Sequence, residues 1–327
     1  MAKQDSQLLT INQDIPLFLQ KFEDNFDPVH PENSDIPVIV LGCGEISTVI
    51  SFNVPGFKTY AFKRLPLFFS EKEARHYCGL YREYNQQLSL LGIETPESDA
   101  WYVKGHNGLF VAYLAQERLD ERSIGNNLLH SRTDKEIQLL FKQVVQSMVK
   151  LWDHNRKYPE QLLGLDSQIS NWAIRDFDPE KPLYEQPGLY FIDTSTPMLR
   201  IRSEEQMNPL LFLQSAPKPL RWILKLFFLQ EVMDRYYDFR LVAVDLLANL
   251  YKEQRPDLIP GLMNIVNTKG KEFLEGKRIT EKEVKQYYKN DKLIWKLFLA
   301  LRRADRFINS RVLGRRYEFT LPGKIKR

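Results

Sequence analysis

Residues Leu163-Gly-Leu-Asp166-Ser-Gln-Ile-Ser-Asn171-Trp-Ala-Ile174 set an acid and an amide five positions apart, just ahead of a short apolar run. In that arrangement Asp166 can orient an acceptor group and Asn171 can ligate a metal. The plain alternative is a loop whose Asx side chains cap turns. Further on, Tyr190-Phe-Ile-Asp193-Thr-Ser-Thr196 ends a second apolar run in a carboxylate. A carboxylate at a strand end, facing the asparagine, suits magnesium, which prefers hard oxygen donors.

Such a metal site gains meaning if the chain also carries a phosphate cradle upstream. Phosphoryl transfer asks for a loop over the phosphates, a cation on them, metal ligands and a group to orient the acceptor hydroxyl. The loop candidate is Gly42-Cys-Gly-Glu-Ile-Ser-Thr-Val49, where Gly42, Gly44 and Ser47 lie between two strand-like runs. Two glycines let backbone N–H groups approach phosphate oxygens without a Cβ clash. An ordinary hairpin turn is the competing reading. The cation candidate is Lys63 in Tyr60-Ala-Phe-Lys63; on a strand it faces away from Phe62 and toward the cleft. Its orienting carboxylate is expected at Glu83, mid-helix in Tyr81-Arg-Glu-Tyr84. Glu73 is the competitor, but lies near the helix start.

The surrounding pattern sets the fold class. Apolar β-rich runs at 36–41, 49–53, 59–64, 100–103 and 109–114, separated by Gly and Pro turns, predict an antiparallel meander. A helix is predicted over 71–91, stopped by Gly92 and Pro96. From Asp134 to Trp152, Ile137, Leu140, Phe141, Val144, Val145, Met148 and Leu151 recur at helical spacing. Short β-like segments follow at 171–174 and 189–192, and everything past Leu210 reads as helix. The expectation is an α+β, two-lobed chain with three parts. These are an extension (1–34, with an amphipathic helix near 15–26), a five-stranded antiparallel N-lobe (35–118) and a mainly helical C-lobe (119–327).

In this order the pieces resemble the protein-kinase-like superfamily. The helical second half looks closest to its aminoglycoside and choline phosphotransferase branch, and an uncharacterised bacterial kinase-like family is also suspected. The resemblance covers roughly residues 36–250. It implies that Gly42, Gly44 and Ser47 cover the phosphates of ATP, and that Lys63 contacts them and pairs with Glu83. Residues 113–117, including Gln116, would form the hinge that holds adenine. Asp166 would orient the acceptor hydroxyl, and Asn171 and Asp193 would hold Mg2+. Asp245, in Val242-Ala-Val-Asp-Leu-Leu247, would brace the catalytic loop.

The departures matter as much. Ser47 replaces the third loop glycine, Gly164-Leu165 stand where a histidine would precede Asp166, and Gln168 replaces a basic residue. Thr194-Ser195 follow Asp193 in place of Phe-Gly, and no recognisable activation segment follows. The reading implied is an ATP- and Mg2+-dependent phosphotransferase acting on a small hydroxylated molecule. A nucleotide-binding pseudokinase acting as an interaction module, an AMP transferase and an empty-cleft remnant are the alternatives.

Composition agrees with a folded intracellular chain. Hydrophobic residues make up 43% and charged residues 27%, enough for a packed core. Cys43 and Cys78 support neither a disulfide framework nor a zinc spacing, and the isolated histidines have no ligand spacing. No secretory leader or membrane-spanning run is read, so a cytoplasmic location is expected. The net charge of +4 conceals an asymmetry: from Leu301 onward nine Lys and Arg face only Asp305 and Glu318, leaving the remainder acidic. That tail, with Trp295, Phe298 and Phe307 before or within it, suits acidic lipid headgroups or another phosphate-rich partner and a peripheral membrane contact. A nucleic-acid partner is disfavoured.

Overall fold

The computed structural model describes residues 15–43, 47–213 and 229–292. Gly44 and the basic tail lie outside the described residues.

The chain begins with helix α1 (Ile15–Asn25), whose Ile15, Leu19 and Phe22 are fully buried. Five strands follow: β1 (Val38–Cys43), β2 (Thr48–Phe52), β3 (Tyr60–Phe68), β4 (Ser98–Lys104) and β5 (Phe110–Glu117). They form one antiparallel sheet in the order β1-β2-β3-β5-β4. The β3 strand runs past Pro66, where the sequence reading ends it. Its register with β5 is irregular between Leu65 and Phe68, which accommodates a residue with no N–H to give the ladder.

Alternation along the strands divides the sheet into two faces. Ile50, Phe52, Phe62, Tyr113 and Ala115 face α1 and close over Leu19, Phe22 and Phe26. The stretch read as an extension is therefore packed into the sheet. An ion pair lies in the seam: Arg64 lies against Glu23, Nη2 to Oε1 at 2.5 Å and Nε to Oε2 at 2.8 Å, with both residues at 0% exposure. The Tyr113 hydroxyl donates to Glu23 as well.

Helix α2 (Glu71–Leu90) crosses the other side of the sheet. Ser70 caps it, its side chain accepting from the Glu73 N–H. The Glu73 carboxylate folds back onto the Phe69 N–H, so that competitor for Lys63 serves the helix start. Its buried stripe includes Ala74, Tyr77, Tyr81, Tyr84 and Leu88, and one apolar core continues from it into the helical half.

That half is built around α3 (Gly125–Ser131), α4 (Asp134–Lys157), α5 (Leu229–Arg235), α6 (Phe239–Lys252) and α7 (Ile259–Lys269). Thr133 and Glu136 form a reciprocal cap on α4, and all seven of its expected core residues are buried. Two small antiparallel ribbons lie between α4 and α5. In the first, β6 (Gln161–Leu163) pairs with β9 (Leu199–Ile201), which also pairs with β10 (Glu204–Glu205). In the second, β7 (Trp172–Ile174) pairs with β8 (Leu189–Phe191). Sequence reading misses β6, β9 and β10: two or three residues are too few to show a period, and unlike the wholly apolar β7 and β8 they include Gln161, Arg200, Glu204 and Glu205. Among the described residues no helix is long and apolar enough to cross a membrane.

Candidate functional site

The β7–β8 ribbon brings the two metal-ligand candidates together. Ala173 opposes Tyr190, and the Ile192 N–H donates to the Asn171 carbonyl at 2.8 Å. Pairing thus runs one step past the strands and leaves Asn171 and Asp193 at the same end. Both line a cleft of about 430 Å³ between this ribbon and the five-stranded sheet. From the sheet come Leu41 and Val49 of the β1–β2 hairpin, Ala61 and Lys63 of β3, and Leu114 and Gln116 of β5. Ala61 opposes Gln116 and Lys63 opposes Leu114, so alternation turns these four side chains to one face.

Lys63 crosses the cleft. Its Nζ lies 2.7 Å from Asp193 Oδ1 and 2.7 Å from Ser195 Oγ, and the Ser195 hydroxyl donates to the same Asp193 oxygen at 2.8 Å. Burial works against the Asp193 carboxylate, but Lys63 and Ser195 outweigh it and hold the group below the usual carboxylate range.

Glu83 does not take part. It is exposed, and the ion pair expected between it and Lys63 is replaced by Lys63–Asp193. The reason is helical phase. Two residues past Tyr81, Glu83 is rotated by about 200° from it, to the side facing water. The inward face carries phenols instead. The Tyr77 hydroxyl donates to the Ser195 carbonyl, and the Tyr84 hydroxyl donates to the Gly164 carbonyl at 2.8 Å. Tyr81 lines the cleft and contacts Thr194 and Ser98. The spacing of Tyr77, Tyr81 and Tyr84 carried this signal in the sequence.

Asp166 stands behind the lining. Its carbonyl accepts from Asn171 Nδ2 at 3.0 Å, and its half-buried carboxylate accepts from the Gln168 N–H at 3.3 Å. Burial, then the nearby Asp245 and Asp193, push that carboxyl up to about 7, against a smaller pull downward from Arg235. Helix α6 reaches the loop through Asn249, whose amide donates to Gln168 Oε1 at 3.4 Å. Asp245 is buried on the same helix, close enough to Asp166 to influence it. A Cβ on Gly164 would come within 2.9 Å of Met198 Cβ, so the tight passage from β6 into this loop calls for glycine.

Of the loop candidates, Gly42 pairs with Val49 next to a bulge, and Ser47 is buried. Leu41 and Val49, not Gly42 or Ser47, line the cleft. Asn126, Asn127 and Ser170 also line it and were not singled out in the sequence. Polar residues in short loops have no period to mark them.

The donors fit a magnesium ion bound together with phosphates. Asn171 spends its amide nitrogen on the Asp166 carbonyl, leaving its amide oxygen as a possible ligand, and Asp193 supplies a carboxylate. Among the described residues no three His, Cys, Asp or Glu side chains form a ready-made cage. Magnesium does not require one, since phosphates and water complete its shell.

Residues 34–306 match a family of unknown function, DUF6206, and the chain belongs to that family. No curated protein matches. Among solved structures, the GDP and kanamycin complex of APH(2")-IIia is similar at 11% identity and a TM-score of 0.33, over 78% of this chain and 99% of that one. The GDP complex of an aminoglycoside phosphotransferase mutant gives 12% identity and 0.33, over 78% and 97%. A Neurospora crassa PAN2–PAN3 complex, which includes a pseudokinase, gives 12% and 0.29, over 93% and 77%. At such TM-scores these likenesses decide nothing about the chain.

Proposed function

We propose that the chain is a two-lobed, kinase-like phosphotransferase that binds ATP with Mg2+ and phosphorylates a small hydroxylated molecule. The observation that carries this reading is the convergence of Lys63, Asn171 and Asp193 on one cleft, with the Asp166 loop beside them.

Each residue has a task the chemistry requires. Lys63 neutralises phosphate charge once phosphates draw it from Asp193. Leu41, Val49 and Ala61 give the base an apolar slot, and Gln116 offers an amide at its edge. Asn171 and Asp193 would hold the magnesium ion, which when bound supplies positive charge against the phosphates. Asp166 orients the acceptor hydroxyl and receives its proton, a role suited to a carboxyl with a value of about 7.

ATP turnover across a panel of hydroxylated metabolites tests the reading. Phosphate appearing on an acceptor, and its loss in Asp166→Ala, is the expected result; absence of turnover, or an unaffected variant, would sink it.

A second reading is a nucleotide-binding pseudokinase. It is favoured by the Lys63–Asp193 pair, which occupies the metal-binding carboxylate, and by Gln168 where the resemblance leads one to expect a base. Tight ATP binding with no product on any acceptor, water included, would select it. Intact-mass analysis that finds AMP added to protein would instead point to nucleotidyl transfer.

A further inference from the structure

Lys63, Ser195 and Asp193 form a closed triangle with sides of 2.7, 2.7 and 2.8 Å. One carboxylate oxygen, Asp193 Oδ1, accepts from both the ammonium and the hydroxyl. The hydroxyl oxygen in turn accepts from the ammonium. Ser195 therefore links both members of the ion pair without competing with either.

Its placement is firm. The Ser195 carbonyl accepts from the Tyr77 hydroxyl on α2, and the adjoining Thr194 is buried beside Tyr81. The segment after Asp193 is thus tied to the helix on the far side of the cleft.

This arrangement conflicts with cation binding. A divalent ion held by Asn171 and Asp193 would arrive at a carboxylate already bonded to an ammonium. Like charges at that range repel, and the partly buried setting screens them poorly. Either Lys63 leaves Asp193 or the ion does not bind. Phosphate resolves the conflict, because it offers Lys63 a new anionic partner.

We propose that Ser195 is a positioning residue that gates the metal: its hydroxyl clamps Lys63 onto Asp193 until a nucleotide binds, so that a bare divalent cation is refused and enters with the nucleotide. This rests on the functional reading above for the metal ligands, but needs no transferase activity.

The test uses Mn2+ alone, titrated onto the full chain without nucleotide and followed by the free-ion EPR signal. Removing a charge-assisted hydrogen bond shifts an equilibrium by about ten-fold. Ser195→Ala should therefore bind Mn2+ about ten-fold more tightly than wild type. Ser195→Thr, which keeps the hydroxyl, should match wild type. Lys63→Met, which removes the competing cation, should tighten binding at least as much as Ser195→Ala. Unchanged or weaker binding by Ser195→Ala, or undetectable binding in both it and Lys63→Met, overturns the gate. Asp193→Asn separates the two levels: if it abolishes the tight Mn2+ binding of Ser195→Ala, the gate is supported at the assigned ligand. If it leaves that binding intact, the ion lies elsewhere and the proposal falls. ATP titration of wild type judges the functional reading independently.

Discussion

Lys63 and Asp193 form a 2.7 Å ion pair across the cleft, joining the third strand of the sheet to the end of β8. Two elements far apart in sequence meet through these side chains, and Glu83 of α2 stays in water. Whether Glu83 supports Lys63 at all can therefore be tested in solution. Lys63→Ala should weaken ATP–Mg2+ binding by about ten- to a hundred-fold, the range for losing a hydrogen bond from a charged group. Glu83→Ala should change it less than two-fold. Isothermal titration of both variants checks this. Equal losses would mean that the helix turns inward when nucleotide binds.

The Glu23–Arg64 pair sits one residue from Lys63, on the opposite face of β3. With both partners fully buried, removing Glu23 leaves the Arg64 charge out of water and without this carboxylate. Glu23→Ala should cost about 3–5 kcal/mol of stability. Replacing both partners, as Glu23→Leu with Arg64→Met, should recover much of that loss. Urea unfolding of the single and double variants checks it; a double variant as unstable as Glu23→Ala would mean that packing, and not charge, holds α1 to the sheet.

Much of this was legible in the sequence where a period existed. The alternating runs gave the five strands, and the stripe from Ile137 to Leu151 gave α4 and its core. The spacing of Asp166, Asn171 and Asp193 marked the ribbon end that lines the cleft. What failed was pairing. Glu83 was matched to Lys63 by distance along the chain, without asking which way the helix turned it. Ser195 was noted only as a departure, because nothing in a sequence shows a hydroxyl reaching back to a carboxylate two residues earlier. The seam between α1 and the sheet was hidden for a similar reason: Glu23 lies in a helix that reads as amphipathic and Arg64 in a strand, and only the fold brings them together.

The phenol face of α2 gives a third expectation. The Tyr84 hydroxyl is buried and donates to the Gly164 carbonyl, immediately ahead of the Asp166 loop. Tyr84→Phe leaves that carbonyl without its donor and should cost about 1–3 kcal/mol. Because Gly164 is wedged against Met198, the loop has little room to find another partner. Hydrogen exchange should rise locally at Leu165 and Asp166. Unchanged exchange there, together with full stability, would mean that α2 does not support the loop.

Asp166 supplies the pH dependence. Its carboxyl stands near 7 in the fold, against an ordinary value of about 3.9 for an aspartate in an unfolded chain. Between those values the folded chain holds a proton that the unfolded chain has released. The stabilising contribution is therefore complete below about pH 3.9 and is lost as pH rises through about 7. Asp166→Asn cannot ionise, so it should melt higher than wild type at pH 8 and approach it in mildly acid solution. Activity should run the other way, since a proton acceptor works only when deprotonated: turnover should climb as pH rises through about 7 and be lost in Asp166→Asn. The same half-buried negative charge thus destabilises the fold and enables the reaction. Melting curves and rate profiles across pH 5–9 test both halves. A rate that stays flat from pH 5 to 9, or a melting difference that does not depend on pH, would remove Asp166 from the proton-accepting role.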